Sequence, residues 1–309
     1  MFDFINSTLR KVSCGIAGAL SLAFLTPVAP AQQSDPFSDI VCLGDSLSDV
    51  GRIFDVTGGA FPPAPYYDGR FCNGPLWNEY LAEKLDMDLD PDSQFAFGGA
   101  LTSNLNYNSI PPSFILPGFE QQVDEVLAWN GRRKVDPRAL YTVWIGANDF
   151  FAWLLSGNPN PTGMMVAGTQ NTVQGIVDLS NAGAHYIVVF NLPDLGKTPT
   201  VLGFGPATSG VVSYLCSSYN AMLDDQLDAL AAKNRRLKII RIDAFALIND
   251  MVANPADYGF TNVTGQALLG AAPPDQCLFW DGVHPTTAAQ EHVAETVYQG
   301  LRLEFPRVR

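Results

Sequence analysis

Ile40-Val41-Cys42-Leu43-Gly44-Asp45-Ser46-Leu47-Ser48-Asp49 is the stretch whose reading decides the fold. Its first four residues are a continuous apolar run, without the in-out alternation of a strand that faces water on one side. A strand buried on both faces reads this way, and parallel sheets covered by helices are built from such strands. Gly44 ends the run and polar residues follow at once. Asp45, Ser46 and Asp49 are therefore expected beyond the carboxyl end of a buried strand.

The pattern recurs along the chain. Short apolar or β-rich runs are expected as strands at Gln94–Phe97, Leu140–Ile145, Tyr186–Phe190 and Leu237–Ile242, each ending at a Gly, Asn or Asp or just before one. Between and after them, helical spacing of apolar residues marks Trp77–Leu85, Gln121–Trp129, Thr169–Ala182, Tyr214–Ala232 and Thr286–Leu303. Strands alternating with helices give an α/β fold, with about five strands in an open, doubly wound parallel sheet. In that architecture ligands bind outside the carboxyl ends of the strands. Ser46 follows the first strand, Gly98 the second and Asn148 the third. No internal repeat or low-complexity linker interrupts the pattern.

The 309 residues are 47% hydrophobic, with a net charge of −13. So acidic a surface disfavours nucleic acids and anionic membranes as partners. At the start, Arg10 and Lys11 precede the apolar run Val12–Leu25, and Ala29-Pro30-Ala31 follows. That is the pattern of an export signal, with cleavage expected after Ala31. The run is too short for a membrane anchor, which takes ~20 residues. A secreted or periplasmic protein is expected, with residues 32–309 as the mature chain. Cys42, Cys72, Cys216 and Cys277 remain in it; an exported chain can form disulfides, and four cysteines allow three pairings. Their spacing is unlike a zinc site.

Hydrolysis of an ester needs a nucleophile, a base for its proton and donors facing the developing oxyanion. Ser46 sits in a tight turn at a strand end. The base must be a histidine, because its ordinary pKa lies near neutrality. Of His185, His284 and His292, only His284 has a carboxylate at short spacing, in Asp281-Gly282-Val283-His284-Pro285. Three residues apart, Asp281 can orient the imidazole and stabilise its charged form. Pro285 and Thr286 then open the last helix. His185 and His292 read as packing or surface residues.

These segments resemble the GDSL (SGNH) hydrolases. Gly44-Asp45-Ser46-Leu47-Ser48-Asp49 is similar to the nucleophile block of that family and Phe95-Ala96-Phe97-Gly98-Gly99-Ala100 to its glycine block. Gly146-Ala147-Asn148-Asp149 and Asp281-Gly282-Val283-His284-Pro285 resemble its two remaining blocks. The likeness runs from about Ile40 to the end of the chain. Intervening pieces such as Gly69–Trp77 and Asn191–Pro199 suggest the branch of exported esterases, lipases and acyltransferases. The resemblance implies a three-layer αβα, flavodoxin-like sheet and a single hydrolase domain over residues 32–309. It implies Ser46 as nucleophile, His284 as base and Asp281 as its orienting acid. The oxyanion donors it implies are the Ser46 and Gly98 amides and the Asn148 side chain, Gly98 being preferred to Gly99. No cofactor and no metal are implied. The substrate would be a small-molecule or lipid ester, cleaved through an acyl-enzyme. Transfer of the acyl group to an alcohol is one alternative, and acetylesterase action on carbohydrate or choline esters is another. Cys72 departs from the Ser or Thr usual in this branch.

Other suggestive residues have plainer roles. Asp45 is expected to hydrogen-bond the nucleophile loop and Asp49 to cap a short helix, rather than to bind metal. Trp144 belongs to a buried strand. Phe150, Phe151 and Trp153 either line the pocket or pack the core. Tyr66 and Tyr67, in a proline-rich loop, either meet substrate or face solvent.

Overall fold

Strand residues that point alternately to opposite faces, both apolar, demand a helical layer on each side. The computed structural model has this arrangement, and describes residues 37–110, 113–129, 135–306 and 308. The export signal expected at residues 1–31 lies outside the described residues.

Four parallel strands form the sheet: β1 (Ile40–Gly44), β2 (Leu140–Trp144), β3 (Tyr186–Phe190) and β4 (Lys238–Ile242), in that spatial order. The register pairs Gly44 with Trp144, and Phe190 with Ile242. The helices are α1 (Arg52–Val56), α2 (Trp77–Lys84), α3 (Phe119–Trp129), α4 (Ala147–Ser156), α5 (Pro161–Ala182), α6 (Pro199–Leu202), α7 (Pro206–Lys233), α8 (Ala244–Ala253) and α9 (Thr287–Glu304). Val41, Leu43, Tyr141, Val143, Ile187 and Val189 pack against α3, α5 and α7 on one face. Ile40, Cys42, Leu140, Trp144, Val188 and Phe190 pack against α2 and α9 on the other. The α/β fold expected from the apolar runs is present, as three layers.

The strand count differs from expectation. Gln94–Phe97 runs beside β1 but makes a single parallel bridge, Cys42 with Gln94. The Phe95 and Ala96 amides both donate to the Cys42 carbonyl, at 2.7 and 3.0 Å. Two donors on one acceptor break the even spacing of a parallel ladder. With this segment counted at the β1 edge, the order is the 2-1-3-4-5 of flavodoxin-like sheets, with its switch point between β1 and β2. A second, two-stranded parallel sheet joins β5 (Asn262–Gln266) to β6 (Cys277–Phe279).

Two long helices begin earlier than their apolar spacing shows. Pro161 and Pro206 occupy the first turn of α5 and α7. Proline suits that position because the first-turn N–H has no partner within the helix. Among the described residues, no helix is long and apolar enough to cross a membrane. Cys42, Cys72, Cys216 and Cys277 are all free and buried.

Candidate active site

Each piece of the site is set by a strand end. β1 stops at Gly44, whose φ of +156° is one that residues with a side chain rarely adopt. A Cβ there would lie 2.4 Å from the Trp144 carbonyl oxygen, so the β1–β2 contact needs glycine at this position. Asp45 then accepts the Leu47 amide at 3.0 Å, and its carbonyl accepts from Ser48, closing a turn with Ser46 at its tip. This is the loop role expected for Asp45.

β6 leads to the loop that carries His284. After Phe279 the chain doubles back: the Trp280 amide donates to the His284 carbonyl at 2.8 Å, and the Thr286 amide to the Leu278 carbonyl. The loop between holds Asp281 and His284. Asp281 Oδ1 accepts the amides of Val283 and His284, at 2.8 and 2.7 Å. Its Oδ2 meets His284 Nδ1 at 2.7 Å, and His284 Nε2 lies 2.8 Å from Ser46 Oγ. The structure thus joins the three residues in one hydrogen-bonded line. Burial alone would raise the Asp281 carboxyl, but the His284 charge and these hydrogen bonds outweigh it and hold the group below the usual carboxylate range. Asp281 therefore stays ionised and accepts a hydrogen bond from the imidazole Nδ1–H. Neither other histidine is near: His185 precedes β3, at the opposite end of the strand, and His292 packs in α9 against Tyr258.

A fourth group reaches Asp281. Tyr66 Oη donates to Oδ2 at 2.7 Å, so this oxygen receives both tyrosine and histidine. Burial and the Asp281 charge push the Tyr66 hydroxyl up, which keeps it a donor. Its ring stands edge-on to Trp280, 6.0 Å between centroids, and Phe71 from the same loop leans over His284 at 5.2 Å. In the sequence, Tyr66 fits a substrate contact and a solvent-facing loop aromatic equally well. No local signal links it to a partner 215 positions away.

The donors around Ser46 differ from expectation at one point. Gly98 was the expected oxyanion amide, but its N–H donates to Asp49 Oδ2 at 2.7 Å. Asp49 is buried; it also accepts the amides of Gly51, Arg52 and Ile53, capping α1 as expected and fixing the glycine turn to it. The Gly98 amide is thereby occupied, and Gly99 is the glycine that lines the cavity. Its φ of +82° is left-handed, and a Cβ there would come within 2.5 Å of Asn108 Nδ2. Glycine alone fits comfortably. Asn148 lies in the first turn of α4. One of its side-chain N–H bonds goes to the Ala100 carbonyl at 3.0 Å, and the amide has a second to offer.

These groups share one cavity of ≈310 Å³. Ser46, Gly99, Asn148 and His284 line it, and its remaining wall is mainly apolar, including Trp144, Leu247, Phe279 and Val293. Phe151 lines it too, whereas Phe150 is buried in the core.

The sequence model of a family described as GDSL-like lipase/acylhydrolase matches residues 40–297. The chain is 27% identical to a thermolabile hemolysin of Vibrio parahaemolyticus, over 87% of this chain and 65% of the relative. It is 30% identical to a phosphatidylcholine-sterol acyltransferase of Aeromonas hydrophila, over 82% of this chain and 71% of that one. It is 29% identical to an acetylesterase of Thermothelomyces thermophilus, over 86% and 89%. The chain thus spans less than two thirds of the hemolysin's length.

Proposed function

The chain belongs to the GDSL-like lipase/acylhydrolase family, and from that premise we propose that it is a serine carboxylic ester hydrolase working through an acyl-enzyme. The observation that carries the proposal is the line Ser46–His284–Asp281, with its links of 2.8 and 2.7 Å. Ser46 Oγ attacks the ester carbonyl as His284 Nε2 takes its proton. Asp281 stabilises the resulting imidazolium. The negative oxygen of the tetrahedral intermediate faces the Ser46 and Gly99 amides and the free N–H of Asn148, at the positive end of α4. Collapse expels the alcohol, which takes the proton from His284. Water then attacks the acyl-enzyme by the same route, releasing the acid and restoring Ser46. The chemistry needs no cofactor.

The leader pattern at residues 1–31 supports export, with residues 32–309 as one hydrolase domain acting outside the cytoplasm. The mainly apolar cavity supports esters with a hydrocarbon acyl group. The acyltransferase relative supports a second outcome, in which an alcohol in place of water takes the acyl group. Products formed with and without added alcohol separate the two. The acetylesterase relative supports small acyl groups as well.

Ser46→Ala is the direct test. Turnover of a short aryl ester is expected to fall by more than about 10³-fold with the thermal transition retained. The wild-type chain, and not this variant, is expected to take up a fluorophosphonate label. Full activity in Ser46→Ala would sink the assignment.

A further inference from the structure

Charge is spread unevenly along the chain. It has 31 acidic and 18 basic residues, yet residues 56–67, 93–119, 150–177 and 198–223 contain no Asp, Glu, Lys, Arg or His. These runs are distant in sequence and meet at the cavity. They supply Phe61, Tyr107, Leu155 and Thr200 to its lining. Tyr107 and Leu155 are also 51% and 59% exposed, so the apolar lining continues outward. From the same run as Tyr107 stand Ile110 and Ile115, at 66% and 62%. Phe61 packs against Phe71 with centroids 5.5 Å apart, and Phe71 leans on His284. Phe61, Phe71 and His284 are thus in contact one after another, and the exposed Tyr107, Ile110, Ile115 and Leu155 all come from runs that carry no charge.

Single exposed apolar residues are ordinary, whereas a cluster around a cavity mouth marks a surface that meets something. We propose that this rim docks on a zwitterionic phospholipid bilayer, so that an ester within the bilayer reaches Ser46 without crossing water. Isoleucine, leucine and tyrosine side chains gain by leaving water at the headgroup boundary. None of the four runs brings a charge that would have to be desolvated there. The charge of −13 lies elsewhere on the chain and repels an anionic leaflet, while a zwitterionic surface carries no opposing net charge. An acetylated polysaccharide is the poorer fit, because isoleucine and leucine offer its hydroxyls no partners. The proposal rests on Ser46 being an ester hydrolase, but docking can be measured without turnover.

The test uses the full chain carrying Ser46→Ala, so that vesicles are not consumed. It is expected to co-sediment with phosphatidylcholine vesicles, and less well with phosphatidylglycerol vesicles. Ile110→Glu with Ile115→Glu is expected to cut the bound fraction about tenfold. In the Ser46 chain the same pair should leave hydrolysis of a soluble aryl ester within about twofold, which shows that the fold and site are intact. No binding to phosphatidylcholine, equal binding by the Glu variant, preference for phosphatidylglycerol, or retention on acetylated xylan in place of vesicles would each overturn the proposal. Loss of aryl ester hydrolysis by the wild-type chain is a separate result, against the hydrolase reading.

Discussion

At the residue scale, the carboxylate of Asp281 has four donors on it: two amides, an imidazole and the Tyr66 hydroxyl. Tyr66 does not line the cavity, so it acts on the reaction through Asp281, as a positioning residue. Tyr66→Phe removes a hydrogen bond to a charged group, worth about 1.5–3 kcal/mol where it is buried. Plateau kcat/KM is expected to fall about tenfold, through kcat rather than KM. An Asp281 with one donor fewer binds the imidazolium more strongly, so the acid limb of the pH–rate profile should move to higher pH. An unmoved limb with an unchanged plateau would leave the tyrosine a packing residue only. Asp45 poses a different problem. Burial pushes its carboxyl up to about 7, and its Oδ2 has no protein partner. An ordinary aspartate titrates at ~3.9, so the unfolded chain releases this proton first as pH rises. Between about pH 4 and 7 the folded state holds more protons, and stability falls with rising pH. Asp45→Asn cannot ionise and keeps the acceptor for Leu47. Its Tm relative to wild type is expected to be higher at pH 8 than at pH 5; an equal difference at both would mean that Asp45 ionises freely in the fold.

At the element scale, the site hangs on how three segments stop. β1 and β2 end where glycines turn the chain, and their carboxyl ends flank the switch point of the sheet. These stops were legible, because apolar runs and their terminating glycines are local features. The third stop, before α9, combines a short-range motif with a cap: Thr286 Oγ1 accepts the Ala289 amide and donates to the Cys277 carbonyl at 2.6 Å. Thr286→Ala loses both bonds. About 1–2 kcal/mol of stability should go with them, a drop of a few degrees in Tm, read by thermal melts. Activity per folded molecule should change less, since Asp281 and Trp280 still hold His284. Other elements were hidden from sequence. Gln94–Phe97 has strand composition, but its ladder fails at a shared carbonyl. α4 and α8 were not read as helices: each follows the strand-end residues directly, and runs such as Phe150–Leu155 lack a polar face to betray their period. The adjacent Gly98 and Gly99 look alike in sequence, and only the Asp49 carboxylate tells them apart.

At the scale of the whole molecule, the sheet is held by its hydrogen-bonded ladders and the two helical layers by packing on its faces, with no disulfide among these described cysteines. Cys42, Cys72, Cys216 and Cys277 are free and buried, so excess dithiothreitol is expected to leave the Tm unchanged. A native disulfide is typically worth 2–4 kcal/mol, and a clear fall on reduction would reveal one. The opportunity for disulfides that export suggests is not taken up by these four thiols. The α/β class was the most legible feature, since it depends on the alternation of elements and not on any one boundary. The Tyr66–Asp281 contact was the least, because nothing near either residue announces the other. The bond between Ser46 and His284 joins positions 238 apart, and that separation bears on timing. A chain emerging from the ribosome makes Ser46 238 residues before His284. On the proposed mechanism, Ser46 is no more reactive than any other serine until the loop after β6 docks, so a nascent chain without that loop is harmless to the esters around it. Hydrolysis by this route has to wait until both segments are made and folded together.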